Sequence, residues 1–271
     1  MEITLISLVL GLVVGVVLGL TGAGGAILSV PLLGFFLHLD VAQAAPIGLM
    51  AVTLSAGIGA VLGLRAKILR YKAALLIASM GVIFSPLGMW LAHQLPNWPL
   101  VLVFSVVLFW VSRNMWLQAR LELAGVEEDL GPPCQLDLQI GKLIWTLPCA
   151  RALAFAGVAA GFFSGLLGVG GGFIIVPSLR RFTDLPIKSI VATSLGVLTI
   201  VSFGGVLFSN VYGAMNWSLA WPFSLGSVMG LLVGRLIAKR MSGPRVQQGF
   251  AILAASVSCV MLLRLVLDGM H

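Results

Sequence analysis

The stretch GLTGAGGAILSVP, residues 19–31, returns in closely similar form as GLLGVGGGFIIVP, residues 165–177. Both copies stand at equivalent places in an internal repeat, because shifting the chain by 146 residues aligns Gly11–Leu33 with Gly157–Leu179 at ten identical positions out of 23. The same offset continues downstream without a gap and matches further glycines. The chain therefore consists of two related halves, each with a glycine-rich phrase inside an apolar stretch.

The composition is that of a membrane protein. Of 271 residues, 59% are hydrophobic and 9% are charged, and the mean hydropathy is +1.10, whereas soluble domains carry about 25% charged residues. Apolar runs long enough to cross a bilayer recur along the chain. The sequence predicts an all-α polytopic membrane protein surrounded by the lipid bilayer. Its net charge of +7 then reflects membrane topology rather than nucleic-acid binding.

The basic residues predict that the two repeats have opposite orientations. The Arg65–Lys72 loop carries four Lys or Arg residues, whereas its counterpart Ser209–Trp217 carries none. Since Lys and Arg favour the cytoplasmic side, equivalent loops are expected on opposite sides of the membrane. Both termini are then periplasmic or extracellular.

The predicted organisation is two inverted-topology repeats, each a glycine-broken helical hairpin plus three transmembrane helices. The first inverted repeat covers residues 1–118, a cytoplasmic linker covers 119–148, and the second covers 149–271. The linker is either a tether that lets the second half insert upside down or a regulatory, partner-binding loop. Cys134, Cys149 and Cys259 fit no C-x-x-C spacing, so we interpret them as small structural residues and expect no metal site.

The first arm of each hairpin repeats glycine every four residues. These glycines share one helix face and allow another backbone to approach closely. We expect them to form a packing seam between the halves. They are Gly11, Gly15 and Gly19 in the first copy and Gly157, Gly161 and Gly165 in the second.

The glycine phrases that follow are predicted to break the helix inside the membrane. Broken helix at that depth is tolerated where it lines a cavity or is covered by protein, and the N-terminus of the second arm can bind an anion through its free amides and its dipole. The alternative is that the glycines only permit tight packing. Pro31 and Pro177 are expected to kink the second arms. The predicted backbone donors are Gly22, Ala23, Gly24, Gly25, Gly168, Val169, Gly170, Gly171 and Gly172.

Hydroxyl side chains near the breaks are the other candidate substrate ligands, because hydroxyls donate hydrogen bonds to anionic oxygens. Their alternative role is local bonding to helix carbonyls. Ser164, Ser55 and Ser202 lie nearby in sequence. The predicted hydroxyl ligands are Thr21, Thr53, Thr193, Ser194 and Thr199.

None of the nine acidic residues lies in the middle of a predicted span. Proton relays usually use such carboxylates or histidines, so an apolar site of amides and hydroxyls favours an anion over a cation. The serine context FSGLLG is not a nucleophile elbow. We therefore predict no enzyme activity, no catalytic residue and no cofactor.

The doubled G-x-G-G phrases, each followed by an apolar run and proline, resemble the sulfite exporter TauE/SafE family, also called the toluene-sulfonate uptake permease (TSUP) family. The stretch ATSLGVL, residues 192–198, is similar to a family pattern, while the first half departs from it with APIGLMA, residues 45–51. The resemblance implies a transporter of the bacterial inner membrane for sulfite, sulfonates, sulfoacetate or related anions.

The sequence favours alternating access at a site between the halves near the midplane. Export as the direction and a small sulfur-containing anion as the cargo are what the resemblance implies. Two other hypotheses are a passive anion channel or uniporter and a membrane scaffold without transport. A carrier gives saturable flux with counterflow, a channel gives flux that grows linearly with substrate, and a scaffold binds no anion.

Overall fold

The computed structural model describes residues 2–22, 24–123, 134, 136–137, 142–143, 145–211, 215–238 and 243–268, so most of the predicted linker lies outside it. Within these ranges the chain forms ten helices and one two-stranded antiparallel ladder. The helices are α1 (Glu2–Thr21), α2 (Gly24–Leu37), α3 (Val41–Arg65), α4 (Tyr71–Gln94), α5 (Asn97–Leu123), α6 (Leu147–Leu167), α7 (Gly172–Phe182), α8 (Ile187–Val211), α9 (Trp217–Ala238) and α10 (Gly243–Asp268). The strands are β1 (Leu136–Asp137) and β2 (Lys142–Leu143).

The helix lengths confirm the predicted all-α polytopic fold. Among the described residues, eight helices are long and apolar enough to cross a bilayer. The exceptions α2 and α7 have 14 and 11 residues. At about 1.5 Å per residue they are shorter than the roughly 30 Å hydrocarbon core. Each glycine phrase thus joins a full-length first arm to a short second arm.

The predicted glycine faces make the closest backbone contacts between helices. A Cβ added to Gly11 would overlap the carbonyl oxygen of Phe223, so α1 lies directly against α9. A Cβ added to Gly157 would stand 2.5 Å from the carbonyl oxygen of Ile77, so α6 lies directly against α4. These glycines let the helix backbones touch, as small residues do in membrane bundles.

The glycine-face contacts between α1–α5 and α6–α10 are reciprocal: each contact in one direction has an equivalent in the other. Gly11 and Gly157 are equivalent in the repeat, and so are their partners, Phe223 and Ile77. Side-chain hydrogen bonds between α5 and α10 follow the same rule. The Ser112 hydroxyl donates to the Ala251 carbonyl at 2.7 Å, and the Ser258 hydroxyl donates to the Ser105 carbonyl at 2.8 Å. The first arm of each hairpin therefore packs on a helix of the other half.

Matching helices cross each other in opposite directions. Along α3 toward higher numbers, Gly57 lies beside Thr199 and Gly63 lies beside Ala192, so α8 runs the other way. These two helices are also the most enclosed spans, with 61% and 67% of their apolar windows buried. An antiparallel crossing of equivalent helices at the centre is the arrangement that inverted repeats require.

The orientation of the halves in the membrane remains a prediction, which labelling of matched positions tests. Tyr71 and Trp217 occupy equivalent repeat positions, and their side chains are 56% and 45% exposed. In a background without native cysteines, we expect Tyr71→Cys to react with a membrane-impermeant maleimide from the cytoplasmic side only. Trp217→Cys should react from the opposite side only, because its loop lacks the basic residues that retain a loop in the cytoplasm.

Labelling in spheroplasts and in inverted vesicles measures both accessibilities. Neither substitution removes a charge, so the topology signal is unchanged. Reaction of both cysteines from the same side would rule out the inverted orientation.

Candidate functional site

Both glycine phrases end one helix and start another through left-handed backbone. In the first phrase, α1 ends at Thr21, Gly22 has φ of +77°, and α2 begins at Gly24. The predicted site residue Ala23 lies outside the described residues. In the second phrase, left-handed angles occur at Gly168, Gly170 and Gly171, with φ of +68°, +69° and +71°. L-residues pay a steric cost in this region, whereas glycine does not.

The second break lies between α3 and α8, the two central helices. A Cβ added to Gly168 would overlap Ala45, which belongs to α3. At Gly170, a Cβ would come within 2.8 Å of the Leu198 side chain on α8 and 3.4 Å of the Val52 side chain on α3. Val52 and Leu198 lie near the middle of their helices. Gly170 therefore stands at mid-depth in the bundle.

One buried hydroxyl is directed at this break. The Ser202 hydroxyl oxygen lies 2.6 Å from the position that a Cβ on Gly170 would occupy. Ser202 is fully buried, and its hydroxyl has no hydrogen-bond partner within the described part of the chain. An unsatisfied buried polar group costs about 1–3 kcal/mol. The Ser202 hydroxyl is therefore an available donor beside the glycine backbone of the second break.

A second buried hydroxyl without a partner among the described residues belongs to Ser164, in the last turn before the same break. The repeat equivalents of Ser164 and Ser202 are Leu18 and Ala56. The unpartnered hydroxyls are thus confined to the second half at these positions. Three further buried serines without a described partner lie elsewhere on the helices, at Ser7, Ser85 and Ser224.

Three of the predicted hydroxyl ligands bond to their own helix. The hydroxyls of Thr21, Thr53 and Thr199 donate to the carbonyls four residues earlier, at 2.8, 2.7 and 2.7 Å. A hydroxyl has a single O–H donor. These donors are engaged with backbone in this structure, and binding an anion would require them to rotate.

The two other predicted hydroxyls hold neighbouring segments in place. The Ser194 hydroxyl donates to the Gly22 carbonyl at 3.3 Å and so ties the first break to α8. The Thr193 hydroxyl oxygen accepts the backbone N–H of Arg70 at 3.1 Å, in the connection between α3 and α4. Both side chains are fully buried. Ser194 therefore contacts a break, whereas the Thr193 hydroxyl contacts the loop before α4.

Other predicted site residues close the hairpins. A Cβ added to Gly25 would overlap the Val14 carbonyl oxygen, and one added to Gly171 would overlap the Ala160 carbonyl oxygen. These equivalent glycines hold the two arms of each hairpin together. Gly172 begins α7, and Val169 is fully buried inside the break.

The prolines Pro31 and Pro177 lie within α2 and α7. Each lacks the N–H that would bond to the preceding turn. The kinks at these two positions remain a prediction.

The interpretation of all three cysteines as small structural residues is wrong for two of them. Cys134 and Cys149 form a disulfide, while Cys259 is free. The backbone of Cys134 also accepts from Asp184 N–H at 3.4 Å and donates to the Phe182 carbonyl at 3.0 Å. A spacing search reveals local pairs such as C-x-x-C, whereas these partners are 15 residues apart.

Comparison with known proteins gives matches along nearly the whole chain. The family model described as "Sulfite exporter TauE/SafE" matches residues 7–261. A probable membrane transporter protein of Xylella fastidiosa strain Temecula1 is 29% identical over 262 residues, which cover 94% of this chain and 93% of the relative. The probable membrane transporter protein YunE of Bacillus subtilis strain 168 is 26% identical, covering 95% and 96%. No solved structure matches.

Proposed function

This chain belongs to the sulfite exporter TauE/SafE family of membrane transporters, and we propose that it carries a small sulfur-containing anion bound at the second glycine break. The substrate class is sulfite, a sulfonate or a sulfoacetate-like anion. Export is the proposed direction. The observation that carries the proposal is the buried Ser202 hydroxyl beside Gly170.

The chemistry of the second break suits an oxyanion. The first N–H groups of a helix have no partner four residues earlier within it. In α7 these are the amides of Gly172 and Phe173, since the Ile174 N–H donates to the Gly171 carbonyl at 3.1 Å. They carry the positive end of the helix dipole, which favours a negative ligand. The Ser202 hydroxyl adds a neutral donor beside Gly170, two residues before α7 begins. Three oxygens of a sulfite or sulfonate group can accept from such donors.

The distribution of acidic residues also favours an anion. Across the described helices, the eight candidate spans contain no Asp or Glu. Asp40 and Asp184 precede α3 and α8, and the other seven lie at chain ends, helix ends or in the linker region. A cation site or proton relay in a membrane normally uses such carboxylates. An anion meets no charge repulsion at mid-depth.

We propose alternating access as the mechanism, with the chain in the bacterial inner membrane, its termini outside and residues 119–148 in the cytoplasm, where the Cys134–Cys149 pair would be kept reduced. The two halves meet at the crossing of α3 and α8, and the second break lies between these helices. A small rotation of one half against the other would open the break to one side and then to the other. Because the contacts of α1 with α9 and of α6 with α4 join the two halves, these seams must shift during that motion.

The proposal is tested by sulfite flux in proteoliposomes with the Ser202→Ala protein. We expect the wild type to show saturable uptake and counterflow. Removing a hydrogen bond to a charged group costs about 1.5–3 kcal/mol, so Ser202→Ala should raise the half-saturation concentration roughly tenfold or more.

The matched control is Ser256→Ala, whose hydroxyl is exposed and bonds to its own helix at Leu253. It should transport sulfite as the wild type does. Flux that grows linearly with sulfite concentration, without saturation, would favour the channel hypothesis over the carrier. Absence of any anion binding would favour the scaffold hypothesis. Unchanged transport by a folded Ser202→Ala protein would remove the second break from the site.

A further inference from the structure

A second polar site lies at the other hairpin. A cavity of about 50 Å³ opens beside the end of α1, between α7, α8 and the start of α10. Its polar lining consists of Thr21, Arg180 and Gln247, and the remaining lining is apolar. A cavity needs about 10–15 Å³ of this kind to hold one water molecule. The space therefore admits a small hydrated group next to the first glycine break.

The guanidinium in this cavity is held by a chain of amide side chains. Arg180 Nη1 donates to Gln247 Oε1 at 3.1 Å, and Gln247 Nε2 donates to Gln118 Oε1 at 3.2 Å. Gln247 is only 6% exposed. Three helices, α7, α10 and α5, thus fix the position of one charged group. Such preorganisation is characteristic of sites that recognise a ligand geometrically.

The charged group is absent from the equivalent cavity in the other half. That smaller cavity, at the second hairpin, is lined by Val41, Ala45, Leu100 and Leu166, which are the repeat equivalents of Ile187, Val191, Val246 and Leu20. The equivalents of Arg180 and Gln247 are Gly34 and Val101. The two cavities have equivalent apolar lining positions, but only the cavity of the first hairpin has a charged side chain, that of Arg180. Packing of the repeat therefore does not require Arg180.

We propose that this cavity is a loading site for an oxyanion, where Arg180 receives the substrate before it passes the first break. The inference rests on the proposed function. A planar guanidinium binds sulfonate, sulfite or carboxylate oxygens through parallel N–H bonds, and its charge excludes cations. By the predicted topology the cavity lies near the cytoplasmic ends of α7 and α8, and the cytoplasm is the loading side of an exporter.

The neighbouring Arg181 provides a matched control. It occupies the same last turn of α7, where both arginines also complement the helix dipole. Its side chain is exposed, and Arg181 does not line the cavity. A role in topology or in the helix dipole would affect the two positions similarly. A role in substrate binding affects Arg180 alone.

The experiment measures sulfite flux in sidedness-controlled proteoliposomes. With sulfite on the loading face, Arg180→Gln should raise the half-saturation concentration about tenfold, and Arg181→Gln should change it less than twofold. With sulfite on the opposite face, both variants should match the wild type. Arg180→Lys keeps the positive charge but loses the planar guanidinium group. It should raise the half-saturation concentration for sulfite on the loading face about threefold.

Thermal unfolding of each variant controls for folding. If Arg180→Gln is not recovered in folded form, Arg180→Lys and Gln247→Leu are measured instead. An unchanged half-saturation concentration in both variants would overturn the loading site. Equal effects of Arg180→Gln and Arg181→Gln also overturn it. A wild type that moves no anion would instead refute the proposed function, so the two failures are distinguishable.

Discussion

A Gly161→Val protein is expected to be recovered in folded form at about a tenth of the wild-type yield or less, because overpacking a tight interface costs several kcal/mol out of a small total stability. A Cβ at Gly161 would overlap the backbone of Gly81, including its carbonyl oxygen. Backbone cannot rotate aside as a side chain can. The added atoms therefore force α6 away from α4 along their whole contact.

The control is Gly249→Val on α10, where a Cβ would meet nothing within 4 Å. It carries the same change in helix propensity and apolar volume and should fold normally. Fluorescence-detected size-exclusion chromatography of both proteins, with thermal unfolding of whatever is recovered, measures the difference. Wild-type yield and stability for Gly161→Val would show that the seam is looser than the structure indicates.

Gly170→Ala is expected to abolish transport in a protein that still folds. The added methyl would point at the Ser202 hydroxyl and the Leu198 side chain, both of which can shift. Its left-handed backbone costs an alanine about 1–2 kcal/mol, which a folded bundle can tolerate. The methyl nevertheless crowds the Ser202 hydroxyl that we assign to anion binding. We expect sulfite flux to fall at least a hundredfold.

Gly204→Ala is the control for this substitution. Gly204 lies on α8, two residues from Ser202, and a Cβ there would make ordinary contact with Val82 at 3.6 Å. Its flux should stay within twofold of the wild type. A folded Gly170→Ala protein that carries sulfite at the wild-type rate would contradict the proposed site.

The fold was predictable where it depends on length and apolar character. Spans such as α3 and α8 are continuous apolar runs, and the short arms α2 and α7 were recognisable because their apolar runs are too short to cross a bilayer. The glycine spacing in α1 predicted close packing between the halves. It could not identify the partner, since a glycine face fits any helix that presents a smooth surface. The structure assigns α9 as that partner.

The site was less predictable because hydroxyls bond over short distances that sequence does not reveal. Thr53 and Thr199 were predicted as ligands because they occupy equivalent repeat positions, yet both hydroxyls donate to carbonyls of their own helices. Ser202 lacks a counterpart in the first half, so the repeat did not emphasise it. The Cys134–Cys149 disulfide joins distant positions and was invisible to local spacing. The Gln118–Gln247–Arg180 chain likewise joins three helices far apart in sequence.

The reciprocal glycine contacts between the two halves have the geometry of a homodimer interface within one polypeptide. The glycine face of α1 is covered by α9, and that of α6 by α4, so five helices alone would leave these faces bare. A second copy of the same five helices would cover them by the same contacts. Two such copies would therefore complete each other's packing. The present chain departs from that symmetric pair where Arg180 stands opposite Gly34.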